Sequence, residues 1–334
     1  MRNFDYQRAG DVAEATALHG NDHSADFIAG GTNLIDMVKL DIMRPGRLVD
    51  VNRLPLADIE ELGDGRLKIG ALVTNTDLAY DERVTARYPV LSEALLSGAS
   101  TQLRNVATTA GNVMQRTRCP YFRNPARPCN KREPGSGCSA LDGINRNHAV
   151  LGVSDKCIAV HPSDMCVAMQ ALGATITVEG PDGKREIPFE EYHLLPGDTP
   201  EREHDLYEGE LITHVTLDAP IQGGKGHYLK LRDRMSYEFA LASCAAVVAL
   251  DGDTIREARV ALGGIATKPW RSHEAESALA GQPATEETFK QAAEAALAGA
   301  VPHKDTAFKI PLAKQAIVRA LATVTAQDQG GASQ

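Results

Sequence analysis

Long apolar runs, aromatic residues and positive charge are all scarce in this sequence of 334 residues. No stretch of about eighteen apolar residues occurs, which argues against a membrane-spanning helix. Aromatic residues make up only 5% of the chain, so we expect an aliphatic core supplied largely by Ala-rich helices. The formal net charge of -9 argues against general nucleic-acid binding, because that function needs a basic face to displace phosphate counterions.

Cysteine is too sparse for a disulfide scaffold, since the whole chain contains only 6. Four lie in one region of the sequence: Cys119, Cys129, Cys138 and Cys157. Cys166 and Cys244 stand apart, and we interpret both as small buried hydrophobic residues. The N-terminus lacks the apolar run of a secretion signal, so we expect synthesis in the cytoplasm and export only with a partner.

Short strands and short helices alternate along the sequence, which together with its length favours an α+β protein of two or three domains. Apolar or alternating runs predict strands at residues 26–29, 48–51, 67–73, 157–160, 175–179, 211–217, 227–231, 241–250 and 255–262. Helical spacing predicts helices at residues 11–18, 34–40, 76–81, 89–98, 162–172, 273–280, 285–299 and 307–324. Asp11 is expected to cap the first helix, and Pro162 to occupy the first position of the fifth.

A glycine turn follows the first predicted strand. The segment Asp26-Phe-Ile-Ala-Gly-Gly-Thr-Asn33 runs from a strand through two glycines into a helix, which exposes backbone N–H groups and suits a diphosphate. Thr32 and Asn33 add side-chain donors. The segment is not the Gly-x-Gly-x-x-Gly fingerprint, so a Rossmann fold is not indicated. Taken alone, an ordinary tight turn also explains it.

A second polar glycine turn, Arg104-Asn-Val-Ala-Thr-Thr-Ala-Gly-Asn112, strengthens the cofactor interpretation. Thr108 and Asn112 flank the small residue Gly111, which again brings N–H groups and hydroxyls into a short space. Two such turns can clamp one diphosphate from two sides.

Residues 116–148 are rich in proline and glycine, which marks either a functional loop or a disordered one. The cysteine spacing is Cys119-x9-Cys129-x8-Cys138-x18-Cys157, without the tight Cys-x2-Cys pairs of zinc ribbons. Four cysteines spread through such a loop suit a [4Fe–4S] cluster, whose negative charge the neighbouring arginines and lysines would stabilise. Unligated cysteines, in a solvated basic loop or one that docks an acidic partner, are the alternative at this point.

These motifs, taken in order, resemble the medium, FAD-binding subunit of the xanthine oxidase and aldehyde oxidoreductase family. The segments that carry the resemblance are Ala29–Asn33, Ile69–Ala71, Gln102–Asn112, His161–Asp164, Gly209–Ile212 and Tyr228–Arg234. Each motif is moderately specific, but their order and spacing together cover nearly the whole chain.

The resemblance implies a two-subdomain FAD-binding fold of the PCMH/vanillyl-alcohol-oxidase type, followed by a C-terminal α+β domain of the CO dehydrogenase flavoprotein type. The two subdomains would be residues 1–56 and 57–222, and the second would carry the cysteine loop 116–157 as an insert. The C-terminal domain would be residues 223–325, with a polar and frayed tail at 326–334.

The resemblance also implies which residues bind FAD. The diphosphate would be held by Asp26, Phe27, Ile28, Ala29, Gly30, Gly31, Thr32, Asn33, Leu34, Thr108, Gly111 and Asn112. Asp164 would bind the adenosine portion, while Ile212 and Lys230 would lie near the flavin ring. Without the resemblance, Asp164 is only a carboxylate favoured by a helix N-terminus, and Lys230 is an ordinary surface lysine.

Most medium subunits lack a cysteine insert of this kind. Arg118-Cys-Pro-Tyr-Phe122, Pro128-Cys-Asn-Lys-Arg132 and Pro134-Gly-Ser-Gly-Cys138 resemble the insert of three-subunit bacterial aldehyde oxidoreductases more than that of 4-hydroxybenzoyl-CoA reductases. The ligands that this resemblance implies for a [4Fe–4S] cluster are Cys119, Cys129, Cys138 and Cys157.

The implied role is electron transfer by a chain that does not itself oxidise the substrate. A large subunit with the molybdenum cofactor would oxidise an aldehyde with water to a carboxylic acid. Electrons would pass through two [2Fe–2S] clusters of a small subunit to FAD, and then to oxygen or another acceptor. A twin-arginine signal on the small subunit would carry the complex to the periplasm; otherwise the complex is cytoplasmic.

Two alternatives stand beside this interpretation. The chain could serve a 4-hydroxybenzoyl-CoA reductase or a xanthine dehydrogenase-like enzyme of the same family. From a different class, it could be a non-catalytic iron–sulfur assembly module that has lost FAD, although the two intact glycine turns argue against that.

Overall fold

The computed structural model describes residues 1–20 and 22–329 of the chain. In the described part, the strands form three sheets of 3, 5 and 4 strands that follow one another along the sequence. None of the described helices combines the length and the apolar character that a membrane span requires. The predicted domain limits at residues 56 and 222 stay predictions.

The first sheet is parallel. Its region consists of β1 (Asp5–Arg8), α1 (Val12–His19), β2 (Ala25–Ile28), α2 (Leu34–Lys39) and β3 (Arg47–Asp50). β3 lies between β1 and β2, so the carboxyl ends of the three strands meet at one edge of the sheet. The Asp11 carboxylate accepts a hydrogen bond from the N–H of Glu14 at 2.7 Å, which confirms the predicted cap of α1. The first glycine turn leaves β2 at this carboxyl edge.

The second sheet is antiparallel, and a group of short helices interrupts it. Its elements are β4 (Ile59–Glu61), β5 (Leu67–Gly70), α3 (Asn75–Tyr80), α4 (Glu82–Arg87), α5 (Pro89–Ser97), α6 (Thr101–Arg104), α7 (Thr109–Val113), α8 (Ser139–Asp142), α9 (Asp164–Ala171), β6 (Thr175–Gly180), β7 (Gly183–Pro188), α10 (Phe189–Tyr192) and β8 (Leu211–Leu217). The strand order is β4-β5-β8-β6-β7. The first and second sheets share one apolar core with α5 and α9.

The third sheet is antiparallel, with the order β12-β11-β10-β9. Its region consists of β9 (Lys225–Leu231), β10 (Ala242–Asp251), β11 (Thr254–Gly263), β12 (Trp270–Arg271), α11 (His273–Leu279), α12 (Glu286–Ala296) and α13 (Lys309–Gln329). Side chains of a strand alternate between faces. Accordingly Ala245 and Val247 join the core of the preceding region, while Cys244 and Ala246 pack with the C-terminal helices. The sheet is therefore covered on both faces.

The sequence did not predict β1, β4, β7 and β12, and several of the predicted elements are wrong. Residues 157–160 form no strand, because their bonds go to single loop partners, such as Ala149 N–H to Ile158 O at 2.9 Å, and not to a neighbouring strand. Pro162 precedes the helix, since Ser163 is the N-cap of α9. The strand predicted at 67–73 ends at Gly70, where the chain turns.

The predicted tail begins too early. Helix α13 continues through Gln329, so residues 326–329 are helical. After Pro311 in the first turn of α13, the sequence contains no glycine or proline before residue 330, which explains why the helix persists past residue 325. Residues 330–334 lie outside the described residues.

Candidate functional site

The first glycine turn presents a row of unused backbone donors. The turn connects β2 to α2, and Gly31 adopts φ +68°, a conformation that favours glycine. The N–H groups of residues 30–34 make no hydrogen bond within the described part of the chain. Such a row of N–H groups at the start of a helix attracts an anion.

The two glycine turns are in direct contact. A Cβ atom placed on Gly30 would lie 2.0 Å from the carbonyl oxygen of Val106, so only glycine permits this approach. In the second turn, the Thr108 hydroxyl caps α7 by accepting a hydrogen bond from the N–H of Gly111 at 3.2 Å. The structure thus brings together the two turns that the sequence predicted to act as a pair.

Both turns open onto one cavity of about 510 Å³, which we call the large cavity. The predicted ligands on its wall are Asp26, Phe27, Ala29, Gly30, Gly31, Thr32, Asn33, Leu34, Thr108, Gly111 and Ile212. The predicted ligands that lie off this wall are Ile28, Asn112, Asp164 and Lys230. Asn112 instead bonds to the Ser163 hydroxyl at 2.7 Å, next to Asp164.

The sequence did not predict the opposite wall of the large cavity. Residues 201, 203, 204 and 206–211 line it, together with His19 and Arg116. This segment contains no glycine turn of the kind that marked the other wall. Of its residues, only those in the Gly209–Ile212 motif were part of the family resemblance. Because these residues are far from the glycine turns in sequence, only the packing of β8 between β5 and β6 brings them to the site.

The chemistry of the wall fits a large anionic ligand with an apolar portion. The Asn33 amide accepts a hydrogen bond from the N–H of Arg116 at 3.1 Å, while its Nδ2 is buried without a partner. A buried donor without a partner costs about 1–3 kcal/mol, which a ligand acceptor would recover. Burial raises the pKa of Asp26 to about 6.

Asp164 and Lys230 form a second, separate polar group. The Lys230 ammonium lies 2.8 Å from Asp164 Oδ2, and their side chains are only 4% and 8% exposed. Lys230 also donates to the Ser97 carbonyl at 3.1 Å, and the Tyr228 hydroxyl donates to Asp164 Oδ1 at 2.7 Å. The two predicted ligands are therefore brought together, with each charge fully partnered.

We predict that Tyr228→Phe lowers the free energy of unfolding by about 2 kcal/mol, because it removes a buried hydrogen bond to a carboxylate. Tyr80→Phe is the control, since the Tyr80 side chain is 64% exposed. Urea unfolding of both variants measures the difference. Equal stabilities would show that the Tyr228 hydroxyl does not support Asp164.

The four clustered cysteines line one small pocket, which we call the cysteine pocket: Cys119, Cys129, Cys138 and Cys157. None of the four forms a disulfide bond within the described residues. Cys129 and Cys138 face each other across an isolated β-bridge, and Phe122 packs fully buried beside Cys129. The sequence predicted that this loop is either functional or disordered. In the structure the loop is folded around its cysteines.

Backbone N–H groups point at these sulfurs. The N–H groups of Tyr121 and Phe122 face Cys119, and those of Ala140 and Leu141 face Cys138. Burial nonetheless raises the pKa of Cys119 to about 12 and that of Cys157 to about 11. N–H donors directed at buried sulfurs are the surroundings that iron–sulfur thiolates require.

Cys166 and Cys244 lie elsewhere, as predicted. Both are fully buried, and Cys244 belongs to the apolar face of β10. The Cys166 thiol lies within 4.8 Å of nitrogens of His161 and His193. His193 donates through Nε2 to the Val113 carbonyl at 3.2 Å, which makes its Nδ1 an acceptor. We interpret these imidazoles as a neutral buried pair.

A buried ion cluster separates the large cavity from the cysteine pocket. Glu203 Oε2 lies 2.5 Å from Arg116 Nε, and Glu203 Oε1 lies 2.9 Å from Lys131 Nζ. Arg116 and Glu203 line the large cavity, whereas Lys131 lines the cysteine pocket. Burial raises the pKa of Glu203, but the two cations outweigh burial and lower it to about 2.

The comparisons with known proteins define the class first. Residues 2–220 match the family described as the FAD binding domain in molybdopterin dehydrogenase. Residues 227–324 match the CO dehydrogenase flavoprotein C-terminal domain. The chain is thus a two-domain flavoprotein, and it belongs to the FAD-binding subunits of the molybdenum hydroxylase family. The predicted α+β fold class and the enzyme class, an oxidoreductase subunit, are confirmed.

Individual relatives agree with this assignment. The chain is 52% identical over 329 residues to the aldehyde oxidoreductase FAD-binding subunit PaoB of Escherichia coli (strain K12), covering 98% of this chain and 100% of that protein. It is 31% identical to the carbon monoxide dehydrogenase medium chain of Hydrogenophaga pseudoflava, covering 95% and 96%. A solved carbon monoxide dehydrogenase from that organism superimposes with a TM-score of 0.77 at 29% identity, covering 97% and 98%.

Proposed function

We propose that this chain is the FAD- and [4Fe–4S]-containing electron-transfer subunit of a molybdenum-dependent aldehyde oxidoreductase. The observation that carries the proposal is the arrangement of two sites in one chain. The glycine turns meet at the large cavity, and four cysteines surround a pocket on the other side of the Arg116–Glu203–Lys131 cluster.

The large cavity supports FAD binding through its own residues. Unused N–H groups at residues 30–34 and the amide of Asn33 would hold the diphosphate, as the resemblance implies. Ile212 adds an apolar contact on the same wall. Bound FAD would exchange electrons between one-electron carriers and a two-electron acceptor. Asp164 and Lys230 stay proposed ligands of the adenosine portion and the flavin ring.

The cysteine pocket fits a [4Fe–4S] cluster. Its four sulfurs match the number of corners of a cubane, and N–H donors face at least two of them. Lys131, which lines the pocket and lowers the pKa of Cys157 against the effect of burial, supplies positive charge. A cluster with four thiolate ligands carries net negative charge, which this cation stabilises.

The proposed partners are a large subunit with the molybdenum cofactor and a small subunit with two [2Fe–2S] clusters. The names of the relatives support this, since they are medium chains or FAD-binding subunits of larger enzymes. Aldehyde is the proposed substrate of the complex, because of the similarity to PaoB. Oxygen or another acceptor would take the electrons, and the proposed location is the periplasm, through co-export with the small subunit.

The cluster is tested by replacing each cysteine of the pocket with serine. We expect Cys119→Ser, Cys129→Ser, Cys138→Ser and Cys157→Ser each to lose most of the iron and acid-labile sulfide, because one thiolate is needed for each corner of the cubane. Cys166→Ala and Cys244→Ala should keep the wild-type iron content. Flavin content, measured on the same samples, shows whether the protein is folded.

Iron that persists in the four serine variants, or that falls equally in Cys166→Ala, would contradict the proposed ligands.

The substrate is tested on the complex purified through this chain together with its partner subunits. We expect rapid reduction of the bound flavin by an aldehyde. Reduction of the flavin by xanthine, or reoxidation of the reduced flavin by a 4-hydroxybenzoyl thioester, without reduction by aldehydes, would favour the alternatives within the family.

A further inference from the structure

We infer that His148 is a positioning residue of the cysteine pocket that donates a hydrogen bond to the Cys119 sulfur and thereby raises the reduction potential of the bound cluster. The inference rests on the proposed [4Fe–4S] cluster. The observation behind the inference is a distance: His148 Nε2 lies 3.2 Å from Cys119 Sγ. That distance is within hydrogen-bonding range for sulfur.

The chain segment that carries His148 is held in place by hydrogen bonds, and the residue is buried. His148 is only 3% exposed. Its backbone N–H donates to the Asn145 carbonyl at 2.8 Å. Asn145, which is fully buried, donates through its amide to the Ala140 carbonyl at 3.1 Å and so ties this segment to the turn that carries Cys138. These bonds fix the backbone of His148, and burial restricts the rotation of its side chain.

The C-terminal domain fixes the same segment. The N–H of Asp305 donates to Asn145 Oδ1 at 2.9 Å, and the N–H of Asn145 donates to Asp305 Oδ2 at 3.2 Å. Two residues after His148, the N–H of Val150 donates to the Ile265 carbonyl at 2.8 Å. The position of the imidazole thus depends on contacts between the cysteine loop and the domain that follows it.

The direction of the hydrogen bond follows from the ligand chemistry. A cysteine that binds iron is a thiolate and can only accept, so the proton must be on Nε2 of the imidazole. The backbone N–H groups of Tyr121 and Phe122 also face Cys119, and a substitution at His148 leaves them in place. His148 adds a side-chain donor. Hydrogen bonds to cluster sulfurs withdraw electron density and favour the reduced state.

The test is the midpoint potential of the cluster in the complete complex, followed by electron paramagnetic resonance during redox titration. His148→Phe keeps a ring of similar size without a donor, and His148→Gln keeps an N–H donor. We expect His148→Phe to reduce the equilibrium constant for cluster reduction about tenfold, which is about 59 mV for one electron. His148→Gln should restore most of this change.

A matched control is His303→Gln, because His303 is another partly buried imidazole of this region and makes no hydrogen bond to a cysteine in the described part of the chain. It should leave the potential unchanged. Equal potentials in the wild type and His148→Phe would overturn the inference. A wild-type complex without iron would instead overturn the proposed cluster itself, so the two failures are distinguishable.

Pulsed electron paramagnetic resonance of the wild type provides a measurement that requires no variant. With nitrogen-15 introduced only in histidine, we expect a resolved nitrogen coupling to the reduced cluster. His148→Phe should remove it, if that variant keeps its cluster. A wild-type spectrum without any such coupling would also overturn the inference.

Discussion

Gly30→Ala is expected to remove FAD from the protein almost completely. The added Cβ would lie 2.0 Å from the Val106 carbonyl oxygen, where no carbon atom fits, so the two glycine turns must separate. Overpacking of this kind costs about 1–3 kcal/mol. Because the turns form one wall of the large cavity, we expect the loss to appear mainly as weaker FAD binding, by about a hundredfold.

The measurement is flavin per chain, from the visible absorbance after denaturation, together with the affinity of the flavin-free protein for added FAD. Gly63→Ala is the matched control, because a Cβ at Gly63 meets nothing within 4 Å and its backbone is not in the left-handed region. Gly63→Ala should retain the wild-type flavin content. Full flavin in Gly30→Ala would show that the contact between the turns is not part of the FAD site.

Glu203→Gln is expected to lower the free energy of unfolding by about 3 kcal/mol, because it leaves two buried cations without their common carboxylate. The side chains of Glu203, Arg116 and Lys131 are 15%, 21% and 12% exposed, so water screens the cluster only weakly. Lys131 belongs to the cysteine loop and Arg116 contacts Asn33 of the first glycine turn. We therefore expect both proposed cofactors to be held less tightly.

The same carboxylate predicts a pH dependence. The pKa of Glu203 is lowered from an ordinary value of 4.5 to about 2, so its contribution is fully present above about pH 4.5. The contribution is lost as the pH falls from about 4.5 through about 2, because the unfolded chain binds the proton first. The wild type should therefore lose about 3 kcal/mol more than Glu203→Gln over this interval.

Urea unfolding at several pH values, on wild type and variant in parallel, measures this difference. Glu201→Gln is the control, since Glu201 is exposed and only two residues away along the chain. It should lower stability by less than about 1 kcal/mol. Identical acid sensitivity of the wild type and Glu203→Gln would contradict the account of the ion cluster.

Local patterns in the sequence predicted most elements of the fold. The alternating run 211–217 forms a strand with the predicted limits. The observed limits of α1 and of the strand before the first glycine turn lie within one residue of the predicted ones. The strand predicted at residues 157–160 does not form, for a physical reason. An apolar extended segment looks like a strand in sequence, but it becomes one only if a neighbouring strand is available for its hydrogen bonds.

The candidate site was predictable on one side only. Glycine turns have a local signature, so Gly30, Gly31 and Gly111 could be selected before the fold was known. The wall formed by residues 203–211 and the ion cluster around Glu203 has no such signature, because it exists only after β8 enters the sheet. His148 likewise showed no ligand spacing. Its role becomes visible through a distance to Cys119.

The central claim is that this chain holds both a flavin and an iron–sulfur cluster. The most direct test is to purify the chain with its partner subunits, separate it without exposure to oxygen, and determine flavin, iron and acid-labile sulfide per chain. We predict one FAD, four iron and four sulfide, as a [4Fe–4S] cluster requires. A chain without iron and sulfide would contradict the cluster, and a chain without flavin would contradict the function proposed for the whole molecule.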